Sequence, residues 1–145
     1  MKFENNWKYK SLQSLEKKKF NPLDENKGTS LIRTCYGLIR KPLIDFNIED
    51  LRILIGQSIG LNYLIPLAIE KLKTNILVEG DYYEGDLLKM VLNSDREYWT
   101  REKENWQIMV DLFNANVNKL MEFDTTNKIR NGWFESYDEF KKINK

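Results

Sequence analysis

The chain has 145 residues, a formal net charge of +1, and 41% hydrophobic, 12% aromatic and 31% charged residues. Seven Phe, seven Tyr and four Trp are enough aromatic mass for a packed core, which excludes wholesale disorder despite the high charge. There is no histidine and one cysteine. Ser-His and Cys-His nucleophile pairs, the two-histidine zinc motif, thiolate zinc cages and internal disulfides are therefore all excluded.

The near-neutral total hides an asymmetry. Residues 1–41 carry ten basic and four acidic groups, net +6; residues 42–99 carry five basic and ten acidic groups, net −5; residues 100–145 carry eight of each. Such a balance argues against general coating of nucleic acid, which needs a basic domain to displace counterions. The N-terminus has no apolar core or small-residue cleavage site resembling a signal peptide. No apolar run reaches the roughly 18 residues of a membrane helix. A cytoplasmic protein with a reduced thiol is the expectation.

In chain order, Ser11 is the expected cap of a short helix bearing Leu12 and Leu15 and ending in Lys17-Lys18-Lys19, where lysines complement the helix dipole. Asn21-Pro22 breaks it. Thr29 or Ser30 opens a second helix with Leu31, Ile32, Cys35, Leu38 and Ile39 on one stripe, closed by Lys41-Pro42. Asn47 caps a third, from Ile48 to about Ile59, with Glu49 and Asp50 in its first turn. Gly60 is its expected stop, and Gly56 with Gly60 suggests close helix approach. A fourth segment, 61–72, has helical spacing, with Pro66 either starting the regular helix or kinking it. Ile76 to Val78 has the composition of a short strand.

Residues 79–86, EGDYYEGD, are the one stretch with loop chemistry. A fifth helix follows from Leu87 to about Leu92. Ser94-Asp-Arg-Glu97 reads as a capping box opening one long amphipathic stretch to about Glu122, with Trp99, Trp106, Met109, Leu112, Phe113, Val117, Leu120 and Met121 on its apolar face. Ser136-Tyr-Asp-Glu139 reads as another before a short terminal helix. The predicted fold is all-α: a single-domain compact bundle over residues 1–145, of about six to eight helices, with residues 123–145 a less tightly docked tail.

The candidate site is Glu79, Asp81, Tyr82, Tyr83, Glu84 and Asp86. Their spacing is not that of a calcium loop, and no cleft-forming pattern supports glycosidase-type acid/base work. Two readings stand. In one, the acids favour the N-terminal end of the Leu87 helix and the tyrosines pack; in the other, tyrosines beside carboxylates form a surface for a basic partner. The Lys17–Lys19 run, with Lys8 and Lys10 nearby, reads as a solvated helix end or a phosphate contact; Trp7 and Tyr9 are candidate base-stacking groups, with no groove or recognised nucleic-acid module beside them. Cys35 reads as a small core residue.

The run NIEDLRILIGQSIGLNYLIPLAIEKLK at 47–73 and NILVEGDYYEGDLLKMVLN at 75–93, with Trp7 and the Leu31 to Pro42 stretch, resembles the immunity proteins of contact-dependent growth inhibition (CDI). The similarity extends over most of residues 7–113 and matches 123–145 least. It implies a small, mainly helical, cytosolic, non-catalytic protein without cofactor or metal. Such a protein binds a cognate toxin C-terminal domain 1:1, with neither membrane nor nucleic acid as partner, and blocks its active site or substrate access. Some relatives neutralise nucleases, often ribonucleases, whose basic sites a carboxylate patch would match. If the loop serves as scaffold, the partner contacts fall on the 94–122 helix or on Trp133, Phe134 and Tyr137. A nucleic-acid-binding regulator using the basic N-terminal third, and an enzyme using the 79–86 carboxylates, are the competing classes.

Overall fold

The computed structural model describes residues 3–17 and 29–145. Lys18, Lys19 and the Asn21-Pro22 break lie outside the described residues. Local signals start most of the helices where the sequence places them. Ser11 Oγ accepts from the amide of Ser14 (3.2 Å) and opens α1, Leu12–Glu16. Thr29 Oγ1 accepts from Ile32 (3.3 Å) and opens α2, Ser30–Ile39. Asn47 and Asp50 form a reciprocal capping box (2.8 and 3.0 Å) at the start of α3, Ile48–Gly56. The remaining helices are α4 (Leu61–Thr74), α5 (Asp86–Leu92), α6 (Arg96–Arg101), α7 (Lys103–Ala115), α8 (Val117–Glu122) and α9 (Asn127–Phe140). Short 3-10 turns cover Trp7–Tyr9 and Leu43–Asp45.

The architecture is all-α, as predicted, with nine α-helices among the described residues rather than six to eight. The difference arises in the second half. The expected continuous helix from 94 to 122 is three helices, interrupted at Glu102 (φ −100°, ψ 68°) and Asn116 (φ −115°, ψ 11°). Neither residue is a glycine or proline, so no local breaker marks the bends. Both serine capping boxes also fail. Asp95, not Ser94, caps α6; Ser94 is buried, donates to the Val91 carbonyl (2.6 Å) and accepts from Trp99 Nε1 (2.8 Å). Ser136 lies inside α9, whose cap is Thr126, and accepts from Asn93 Nδ2 (2.9 Å). Ile76 to Val78, whose composition would also suit a short strand, lie in a turn; Ile76 and Leu77 are core residues.

The α3, α4 and α5 helices form the centre, joined by α9 along α5. Leu51, Leu54, Ile55, Leu64, Ile65, Ala68, Leu87, Leu88 and Val91 are buried there. Pro66 lies inside α4 rather than at its start. A second, aromatic part of the core joins α6 and α7 to α9. Phe140 meets Trp99 edge-on (4.8 Å), and Phe113 stacks on Tyr137 (3.9 Å). Trp106 Nε1 donates to the Phe140 carbonyl (2.9 Å). The C-terminal segment expected as a less docked tail thus contributes fully buried Trp133 and Phe140. Cys35 is buried at the α2 stripe, and burial pushes its thiol pKa up, as suits a core residue. The outer members of that stripe, Leu31 and Ile32, stay about two-fifths exposed, at 43% and 40%.

The two glycines near the α3–α4 turn permit close approach. A Cβ on Gly56 would lie 2.9 Å from Met90 Sδ of α5, and one on Gly60 would lie 2.5 Å from Leu12 Cδ1. Gly60 also has φ +68°, in the left-handed region. Gly60→Ala should therefore destabilise the fold by about 1–3 kcal/mol. Combined with Leu12→Ala it should cost less than the sum of the two, because removing Leu12 clears the clash. Denaturant unfolding of the three variants measures this, and strict additivity would count against the contact.

Candidate functional site

The 79–86 loop joins α4 to α5, and its form follows from where its backbone amides go. Asp86, the first residue of α5, is buried and turns its carboxylate back into the loop. It accepts from the amides of Gly80 (2.6 Å), Tyr82 (3.1 Å) and Tyr83 (3.4 Å). The amide of Asp81 goes to Glu49 Oε1 of α3 (2.9 Å). Four successive amides are thus held by two carboxylates. Gly80 is required where these meet: a Cβ there would lie 2.6 Å from Glu49 Oε1 and 3.1 Å from Asp86 Oδ2.

Glu49 is itself clamped by Arg52, one helical turn on, through two contacts of 2.6 Å in the fork-to-fork geometry that suits guanidinium and carboxylate. This hydrogen bonding from Arg52 holds the Glu49 carboxyl below its ordinary value, with the Asp81 amide adding to the effect against the cost of burial. The Arg52 guanidinium lies 4.3 Å from the centroid of the Tyr82 ring. Tyr82 is nonetheless 71% exposed. On the far side, Gly85 (φ +87°) donates its amide to the Leu77 carbonyl (3.1 Å), and its carbonyl accepts from Trp133 Nε1 of α9 (3.1 Å).

The six residues singled out in the sequence therefore divide. Glu79, Asp81, Tyr82 and Glu84 are exposed, Tyr83 is half-buried, and Asp86 is consumed in holding the loop. Burial, reinforced by the charge of Asp86, raises the Tyr83 phenol above its ordinary value, so it remains neutral near pH 7. Glu79 and Glu84 face each other across a single antiparallel bridge, an arrangement that sets like charges side by side. Among the described residues neither has a cationic partner, whereas Glu4, Glu49, Asp50 and Glu70 each do. No group of three or more metal-ligating side chains converges among the described residues.

Glu49, Arg52 and Trp133 belong to this site although the sequence reading did not join them to it. The i, i+3 spacing of Glu49 and Arg52 is a visible signal for their ion pair, but nothing in it points to the loop. Trp133 and Tyr137, considered above as partner contacts, are buried (0% and 7% exposed). Beside the loop, Tyr83, Lys89, Thr126, Ile129 and Glu135 line a cleft of about 480 Å³. A wider cleft, about 520 Å³, lies elsewhere, where Pro66 of α4 faces Arg101 and Glu102.

The family model for CDI immunity proteins matches residues 14–109, which include the whole loop and both of its carboxylate braces. The chain belongs to this family. Its members are immunity proteins, and membership implies neutralisation of a cognate CDI toxin. No curated protein and no solved structure matches the chain. No helix among the described residues is long and apolar enough to cross a membrane.

Two outcomes test the bracing. Asp86→Ala should cost about 2–3 kcal/mol, since it leaves three amides without their charged acceptor; unfolding by denaturant measures it. Because the folded Glu49 pKa lies below its ordinary value of 4.5, its contribution to stability is present above that value. It is lost as pH falls through the folded value. Glu49→Gln should thus be less stable than the parent at neutral pH, and the two should converge on acidification below 4.5. Parallel curves across that range would remove Glu49 as the titrating brace.

Proposed function

We propose that this CDI immunity protein neutralises a nuclease toxin, a ribonuclease in the narrower form, by binding its C-terminal domain 1:1. The exposed rim of the 79–86 loop is the contact surface. One observation carries this reading. Glu79 and Glu84 oppose each other without a cation among the described residues, on a loop whose backbone is held down by other carboxylates. Like charges so placed cost stability in the free protein. A basic partner surface relieves that cost, and a nuclease site that attracts phosphate is such a surface. Tyr82 adds a large amphipathic ring at the centre of the rim, a residue type enriched where interfaces concentrate their energy.

The amides of residues 80–83, 85 and 86 are already paired, so little backbone entropy remains to be lost on binding. Inhibition then consists of covering the toxin's active site or the path of its substrate, without turnover by the immunity protein. The basic N-terminal third offers less support for a nucleic-acid regulator. Lys8 pairs with Glu70 (2.9 Å), Lys10 with Glu4 (2.9 Å) and Lys41 with Asp50 (2.7 Å), so these cations already face carboxylates.

The test is co-expression with the cognate toxin domain, followed by growth rescue, light scattering for stoichiometry, and affinity measurement. Reversing charge with Asp81→Lys and Glu84→Lys should weaken binding about tenfold or more, mainly through slower and less salt-sensitive association. Melting temperature should change little, because both side chains are exposed and the Asp81 contact is made by its backbone amide. Unchanged affinity in the doubly reversed protein would refute the loop as the interface.

A further inference from the structure

We infer that Trp133 of α9 is a positioning residue for toxin binding: it sets the shape of the 79–86 loop from behind, without touching the partner. The inference rests on the reading of that loop as the contact surface. Trp133 is fully buried, and its indole N–H donates to the Gly85 carbonyl at 3.1 Å. Its ring lies so close that a Cβ on Gly85 would come within 2.4 Å of Cζ2. Gly85 is thereby held on both sides, by Leu77 through its amide and by Trp133 through its carbonyl.

The next residue is Asp86, whose carboxylate carries the amides of Gly80, Tyr82 and Tyr83. A displacement at Gly85 swings that carboxylate, and with it the backbone beneath Asp81 and Tyr82. Two further contacts keep α9 in register along α5: Lys89 Nζ donates to the Gly132 carbonyl (3.4 Å), and Asn93 Nδ2 to Ser136 Oγ (2.9 Å). All the α9 members of this brace lie beyond residues 14–109, the part of the chain that matches the family. A segment outside the matched region thus determines the conformation of a loop inside it.

The decisive variant is Trp133→Phe, which keeps an aromatic ring in the core but removes the N–H donor. Amide hydrogen exchange in the full-length protein is measured at Gly80, Tyr82, Tyr83 and Gly85, with Leu64 and Val91 as core references. Toxin affinity is measured alongside. The expected result is exchange about five- to tenfold faster at the loop amides than the change at the core amides accounts for, the scale of one buried hydrogen bond. Affinity should fall by a similar factor. A general loss of stability moves both sets of amides together, and that result would overturn the inference. So would a loosened loop with unchanged affinity while Asp81→Lys with Glu84→Lys still weakens binding. If the reversed charges also leave affinity unaltered, the interface reading itself fails and the positioning role falls with it. Restoration of slow loop exchange and affinity by the isosteric benzothienyl analogue at position 133, which lacks the donor, would likewise refute the role of the N–H.

Discussion

Two carboxylates holding four consecutive backbone amides are the constraint on which the shape of the 79–86 loop depends. A loop of acids and tyrosines has little reason to keep one shape, since its side chains repel each other or seek water. Here Asp86 and Glu49 take the amides of residues 80–83 from below, and the burial of Asp86 makes those bonds stronger than they would be in solvent. The charge is offset differently in each case. Glu49 is matched by Arg52, whereas Asp86 has backbone donors and the favourable first turn of α5. Of the two, Asp86 alone leaves its charge unmatched by a cation among the described residues and adds to the loop's negative field.

This arrangement links the loop to three separate parts of the chain. Glu49 and Arg52 come from α3, Leu77 from the end of the preceding turn, and Trp133 from α9. The α3 helix is itself set by the Asn47–Asp50 capping box and packed closely on α5 at Gly56 and Met90. Position is therefore transmitted from the apolar centre outward through contacts of 2.6 to 3.4 Å, and the exposed rim inherits the order of the core.

Much of the helical order was legible in the sequence, and the failures have a common physical origin. Ser11, Thr29 and Asn47 cap where expected because each precedes an amphipathic run and reaches an amide three residues on. Ser94 and Ser136 show the same local pattern, yet their hydroxyls pair with Trp99 and Asn93, partners that only the tertiary fold supplies. The bends at Glu102 and Asn116 leave the apolar periodicity intact, so a pattern that reads continuously is broken by packing. The loop stood out by composition, and both of its readings contained part of the structure. Asp86 does sit at a helix start, while Tyr82 and three carboxylates remain exposed. What the composition could not carry was the support from Glu49 and Trp133, contacts spanning 32 and 48 residues.

Because the frame is made from main-chain donors, it is nearly indifferent to the side chains it displays. At positions 79, 81 and 84 the outward groups contribute no hydrogen bond or ion pair to the described structure, and at 82 only a ring face rests on Arg52. Chemistry at these positions can be exchanged while Gly80, Gly85 and Asp86 retain the backbone path. The chain thereby separates two demands that usually compete in a surface loop: a backbone that resists substitution and a face that can be rewritten. With this rim as the proposed contact surface, a new recognition specificity needs only a few side-chain changes, with almost no folding penalty to overcome.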